Sequence, residues 1–167
     1  MKSEIPQENF ALVAFIGDPI KAERNLQKLL AQTKNFCQIL QLSSIYKRDH
    51  ENLTNVHSHT SELVVAARVS TALPRQEFSD KIMELKMTEA SVTSYAILLS
   101  MNREILMTPG FTLPDPRLVQ DRLILLCAAE VWGDYEHPVL GQSLTELVKL
   151  YPVRDRIEFF NQGTYLY

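Results

Sequence analysis

Residues 11–17 read ALVAFIG, a continuous apolar run as expected of a buried strand. Asp18-Pro19 follows and predicts a helix start, because the carboxylate takes a free backbone N–H and proline has none to leave unpaired. Leu26, Leu29 and Leu30 then line one face of a helix to about Lys34. Residues 36–46 (FCQILQLSSIY) predict a second strand, and the polar, aperiodic stretch 49–61 predicts a long loop. A third strand is expected at 63–71, where LVVAARVST is rich in β-branched residues. Leu73-Pro74 opens a helix whose Phe78, Ile82 and Leu85 recur at i, i+4 and i+7. It is read as running through residues 84–89 almost directly into a fourth strand at 91–100, which Asn102-Arg103 turns towards a fifth at 105–107.

This order, β-α-β-β-α-β, is that of the split βαβ unit of ferredoxin-like sheets. After it, Asp115-Pro116 caps a second helical region with Val119, Leu123, Leu126 and Cys127 on one face. Ser143-Leu144-Thr145-Glu146 has the capping-box pattern, in which the serine oxygen and the glutamate each take a backbone N–H. The tail, residues 151–167, mixes charge with aromatics and is left open between an edge strand and a segment packed over the sheet. No composition break or Gly/Ser linker interrupts the chain, so residues 1–167 are expected to form one domain.

Composition narrows the function classes. A net charge of −3 argues against nucleic-acid binding, which draws on a basic face to displace counterions. The apolar run 11–17 is too short to span a bilayer, and residues 1–10 lack the apolar core of a signal peptide, so no membrane partner is expected. Only two cysteines occur, Cys37 and Cys127, both in apolar surroundings that suit buried thiols rather than a disulfide framework. A cytoplasmic protein is the expectation.

Three pieces of residues 105–148 carry a resemblance: Thr112-Leu113-Pro114, then Pro116-Arg117-Leu118, then His137-Pro138-Val139-Leu140-Gly141 leading into Leu144-Thr145-Glu146-Leu147. Their order and spacing resemble the C-terminal half of the 6-hydroxymethyl-7,8-dihydropterin pyrophosphokinases (HPPK), enzymes of the folate pathway. Residues 63–85 and Ser43-Ser44-Ile45-Tyr46 extend the likeness. It implies an α+β fold, a ferredoxin-like β-α-β-β-α-β sandwich with an extra C-terminal strand and helices. It also implies transfer of diphosphate from ATP to a pterin hydroxymethyl group, chemistry that rests on metal ligands and cationic clamps.

The residues of that chemistry are replaced here. An Asp-x-Asp pair on the family's fourth strand aligns with Thr93 and Tyr95, or with Ser94 and Ala96 one register over, and no Asp or Glu occurs between Glu89 and Glu104. Hydroxyls are poor substitutes for two carboxylates around Mg²⁺. The family's arginine-rich loop is shortened, with Lys86 the nearby cation. Its pterin-reading Asn aligns with Val64, and its two stacking aromatics with Glu62 and Leu123. Pro114-Asp115 stands where the family has Pro-His, and Asp121, beside Arg122, stands where it has an Arg.

The leading expectation is therefore a catalytically degenerate relative that binds a small molecule or a protein partner, with no catalytic and no metal-ligating residues. Its groove is placed over Val64, Tyr95, Thr112 and Leu123, its nucleotide side at Asp115, Arg117 and Arg122, and its ligand is expected to be less charged than ATP-Mg. Asp115 and Arg117 also read as an N-cap and a solvated helix residue. The alternative is a divergent active diphosphokinase using Mg and ATP, with metal ligands recruited from residues 49–59, where His57 and His59 join Asp49, His50 and Glu51. Converging carboxylates or imidazoles in the groove would favour the enzyme, and an apolar groove the binding module. An obligate partner subunit is a third reading, marked by a large exposed apolar patch.

Overall fold

The computed structural model describes residues 8–17, 21–50, 60–89, 92–152 and 156–166. Strand β1 (Asn9–Gly17) sits inside a seven-stranded sheet, antiparallel to β4 (Thr60–Thr71) on one side and to β6 (Val92–Met101) on the other. β5 (Lys86–Glu89) continues the sheet beyond β6. β3 (Ile45–His50) and then β9 (Ile157–Asn161) continue it beyond β4, which also pairs β2 (Gln38–Leu42).

Helices cover both faces, which is why β1 is apolar from Phe10 to Ile16 instead of alternating. Ala11, Val13 and Phe15 face Leu26, Leu29 and Leu30 of α1 (Ala22–Thr33) and Phe78 and Ile82 of α2 (Arg75–Glu84). Leu12, Ala14 and Ile16 face the C-terminal helices α3 (Arg117–Gln120), α4 (Arg122–Trp132) and α5 (Leu144–Leu150). The fold is thus a mixed α/β arrangement around an antiparallel sheet. Among the described residues no helix is long and apolar enough to cross a membrane.

Several local expectations change. Helix α1 begins at Ala22 with Lys21 at its N-cap position, and Asp18-Pro19 lie outside the described residues. The single strand expected at 36–46 is two. Between them, Ser43 Oγ accepts the Ala66 N–H at 2.9 Å, so a side chain stands in the ladder where a carbonyl would be. Glu130 of α4 holds this interruption, accepting the Ser44 N–H at 2.7 Å and the Tyr46 hydroxyl. The strand expected from 63 starts at Thr60, and β3 runs on to His50, so residues 49, 50, 60 and 61 of the expected loop are strand and residues 51–59 lie outside the described residues.

Residues 84–89 do not run from helix into strand. α2 stops at Glu84, and Lys86–Glu89 form the edge strand β5. Lys, Met and Glu are good helix formers, so local propensity points away from the pairing that β6 imposes. The hairpin of β7 (Leu106–Thr108) and β8 (Phe111–Leu113) turns at Pro109-Gly110, where Gly110 takes φ +84°, a conformation only glycine enters freely.

The helical region after Asp115 is broken in two. Asp121 is extended (φ −92°, ψ 107°) and caps α4, its carboxylate accepting the N–H groups of Leu123 and Ile124. The capping box at α5 forms as its pattern predicts, with Ser143 Oγ and the Glu146 carboxylate each holding the other's backbone N–H. The tail supplies the edge strand β9, closed by a 3₁₀ turn at Gly163–Leu166.

Candidate functional site

On the face covered by α3–α5, register partners form a row across the sheet: Lys86, Tyr95, Ile16, Val64, Tyr46 and Phe159. Directly opposed residues share a face, so these side chains all point the same way. The helices bury Ile16 and Val64 in the middle of the row. Lys86, at its β5 end, stays exposed and Tyr95 half-buried.

A cleft of about 480 Å³ opens at that end. Its polar lining is Lys86, Thr93, Tyr95 and Arg117, and its apolar lining is Met83, Ala96 and Ile97. Thr93 pairs with Thr88, their hydroxyls 3.0 Å apart. Burial, the nearby Glu62 carboxylate and then Asp121 push the Tyr95 hydroxyl above its ordinary range, while Arg117 and Arg48 pull against them, so it remains a proton donor at neutral pH. Arg117 is held by Asp115, whose Oδ1 accepts from Nε at 2.9 Å and whose Oδ2 accepts from Nη2 at 2.7 Å. Asp115 is itself anchored to β6, its N–H donating to Leu99 O at 2.7 Å.

Beside the cleft lies a second charged group. The Arg48 guanidinium, on β3, bonds Glu62 of β4 through Nε at 2.8 Å and Asp121 through Nη1 at 2.7 Å and Nη2 at 2.9 Å. Its side chain is 10% exposed. Burial would lower the Arg48 pKa, but bonds to the two carboxylates more than reverse that, and it stays charged. Burial would likewise raise Asp121, yet Arg48 and the two backbone N–H groups hold its carboxyl below the usual range. Two carboxylates thus converge on this face, but they converge on an arginine.

The residues expected from sequence separate into three groups. Tyr95 and Arg117 meet in the cleft, with Asp115 holding Arg117. Val64 and Leu123 are fully buried in the core and present no surface to a groove. Thr112 is half-buried in the β7–β8 hairpin, and the Arg122 guanidinium stacks over the Tyr151 ring at 4.2 Å. Arg48 is the functional-face residue that the sequence reading missed. The signal was the alternation of Tyr46 and Arg48, visible only once residues 45–50 are read as strand. His57, His59 and Glu51 lie outside the described residues. Among the described residues no three His, Cys, Asp or Glu side chains gather as a metal site would require.

No protein-family model matches the chain, and no curated protein matches it. Solved structures do. An HPPK-DHPS of Plasmodium falciparum with SDX-DHP superposes with a TM-score of 0.71 at 13% identity, over 89% of this chain and 46% of that one. An HPPK-DHPS in complex with substrates gives 0.70 at 10% identity, over 86% and 43%. The wild-type P. falciparum HPPK-DHPS with pterin and p-hydroxybenzoate gives 0.68 at 13%, over 89% and 44%.

The fold is HPPK-like.

The chain spans less than half the length of these three structures. Identities of 10–13% speak to the fold alone. What an HPPK-like scaffold does here has to be argued from the side chains on it.

Proposed function

We propose that this chain is an HPPK-like binding or interaction protein in which the metal-dependent transfer of diphosphate has been lost. The observation that carries this reading is the lining of the cleft. Thr93 and Tyr95 stand where the resemblance calls for paired carboxylates, Lys86 and Arg117 flank them, and no carboxylate lines the cleft among the described residues. A site with two cations and two hydroxyls repels Mg²⁺ where the transfer needs it. The two nearby carboxylates, Glu62 and Asp121, are already engaged by Arg48. A protein partner is supported by Phe159 and Phe160, both large and exposed on the edge strand β9.

The same proposal includes a single domain over residues 1–167 and a ferredoxin-like reading of the core. The strand order β6-β1-β4-β3, with α1 and α2 on one face, supports the latter. A cytoplasmic setting belongs with it, supported by free thiols at Cys37 and Cys127. Burial pushes the Cys37 pKa up to about 12, which suits an inert thiol.

Calorimetric titration with a non-hydrolysable ATP analogue and Mg²⁺, with and without the dihydropterin, tests the reading. No heat of binding from folded protein is expected. Magnesium-dependent binding would overturn the proposal in favour of an active diphosphokinase with ligands in residues 49–59.

A further inference from the structure

We propose that the cleft between β5, β6 and α3 is a metal-independent site for a small organic monocarboxylate. This deepens the binding reading above and rests on it. Two of the polar groups that line the cleft, the Lys86 ammonium and the Arg117 guanidinium, only donate hydrogen bonds. The Tyr95 hydroxyl, protonated at neutral pH, can donate beside them, while the Thr93 hydroxyl is shared with Thr88. Arg117 spends Nε and Nη2 on Asp115, and its Nη1 makes no hydrogen bond among the described residues. A ligand that only accepts hydrogen bonds, an anion, satisfies such a lining.

Charge bookkeeping sets how much anion. Asp115 offsets Arg117, which leaves Lys86 as the cation of the cleft with no ion pair among the described residues. Nearby, the Glu62 and Asp121 carboxylates act on Tyr95 against the pull of Arg117 and Arg48. One negative charge is matched at the cleft, and further charge meets no second unpaired cation among the described lining residues. A carboxylate fits this count better than a phosphate dianion or a polyphosphate.

The remaining wall sets the rest of the ligand. Met83, Ala96 and Ile97 give the cleft apolar lining beside its donors, and Met83 is half exposed. A volume of about 480 Å³ falls within the range of small-molecule sites and leaves room for a ring or short chain beyond the carboxylate.

The test is a titration followed by backbone NMR in chelator at low salt, with benzoate, acetate and inorganic phosphate as probes. Benzoate is expected to saturate shifts at Lys86, Tyr95 and Arg117, at least tenfold tighter than acetate, which lacks the apolar body, and tighter than phosphate. Lys86→Gln and Arg117→Gln should each weaken benzoate at least fivefold with unchanged spectra elsewhere. Failure of benzoate to saturate, binding that both variants retain, or a requirement for Mg²⁺ would each overturn the proposal. Failure here with silent ATP titrations leaves the binding-protein reading standing, whereas Mg²⁺-dependent ATP binding removes that reading whatever benzoate does.

Discussion

Two arginines on the same face of the sheet meet carboxylates and come to different ends. Arg48 is nearly enclosed, its side chain 10% exposed, and lies between Glu62 and Asp121. Arg117 is 49% exposed and meets Asp115 alone. Both make forked pairs, yet burial changes what the fork is for. At Arg48 the guanidinium is largely withdrawn from water and relies on the two carboxylates, so the network ties β3, β4 and the start of α4 together. At Arg117 water reaches the guanidinium itself, which keeps a donor to spare beside an open cleft. The first arginine is part of the fold, and the second is available to a ligand.

Removing the arginines separates the two roles most sharply. Arg48→Met takes the guanidinium away from two partly buried carboxylates and is expected to cost about 3 kcal/mol, read from urea unfolding. A loss below about 1 kcal/mol would show that the network is as loose as a surface pair.

Acid comes next. Asp121 is held below its ordinary pKa, so folding binds fewer protons than the unfolded chain, in which the carboxyl titrates near about 3.9. Its contribution is complete above that pH and is lost as pH falls through the lower folded value. Thermal midpoints of the wild type should therefore drop below about pH 4, with a smaller acid-dependent drop in Asp121→Asn. Parallel pH profiles for the two proteins would remove Asp121 from the account.

Glu62→Gln keeps an oxygen for Arg48 but removes the charge, and about 1–2 kcal/mol is expected by the same unfolding measurement. Asp115→Asn should be the mildest, within about 0.5–1 kcal/mol, because the guanidinium it holds is half exposed. Its informative readout is the ligand: loosening Arg117 from Asp115 adds positive charge to the cleft and should tighten benzoate. Weaker benzoate binding in Asp115→Asn would mean that Asp115 orients Arg117 for the ligand more than it competes with it.

The core of this fold was legible in the sequence wherever one segment contained its own signal. The run 11–17 declared a buried strand because helices cover both its faces, and Ser143 to Glu146 declared a helix start because both partners of the capping box lie within one turn. The motifs of residues 105–148 pointed to the HPPK-like scaffold for the same reason, being local spacings. Tertiary structure alone decided the rest. β5 exists because β6 offers it an edge, although Lys86 to Glu89 by themselves favour a helix. The helix after Pro116 breaks at Asp121 because that carboxylate caps α4 and also meets Arg48, a residue 73 positions away. Val64 and Leu123 read as groove positions by alignment but are packed inside, and an open cleft lies at Lys86 and Arg117 instead. Burial and pairing across distant strands set the chemistry of a charged side chain, and neither is a property of the residues next to it in the chain.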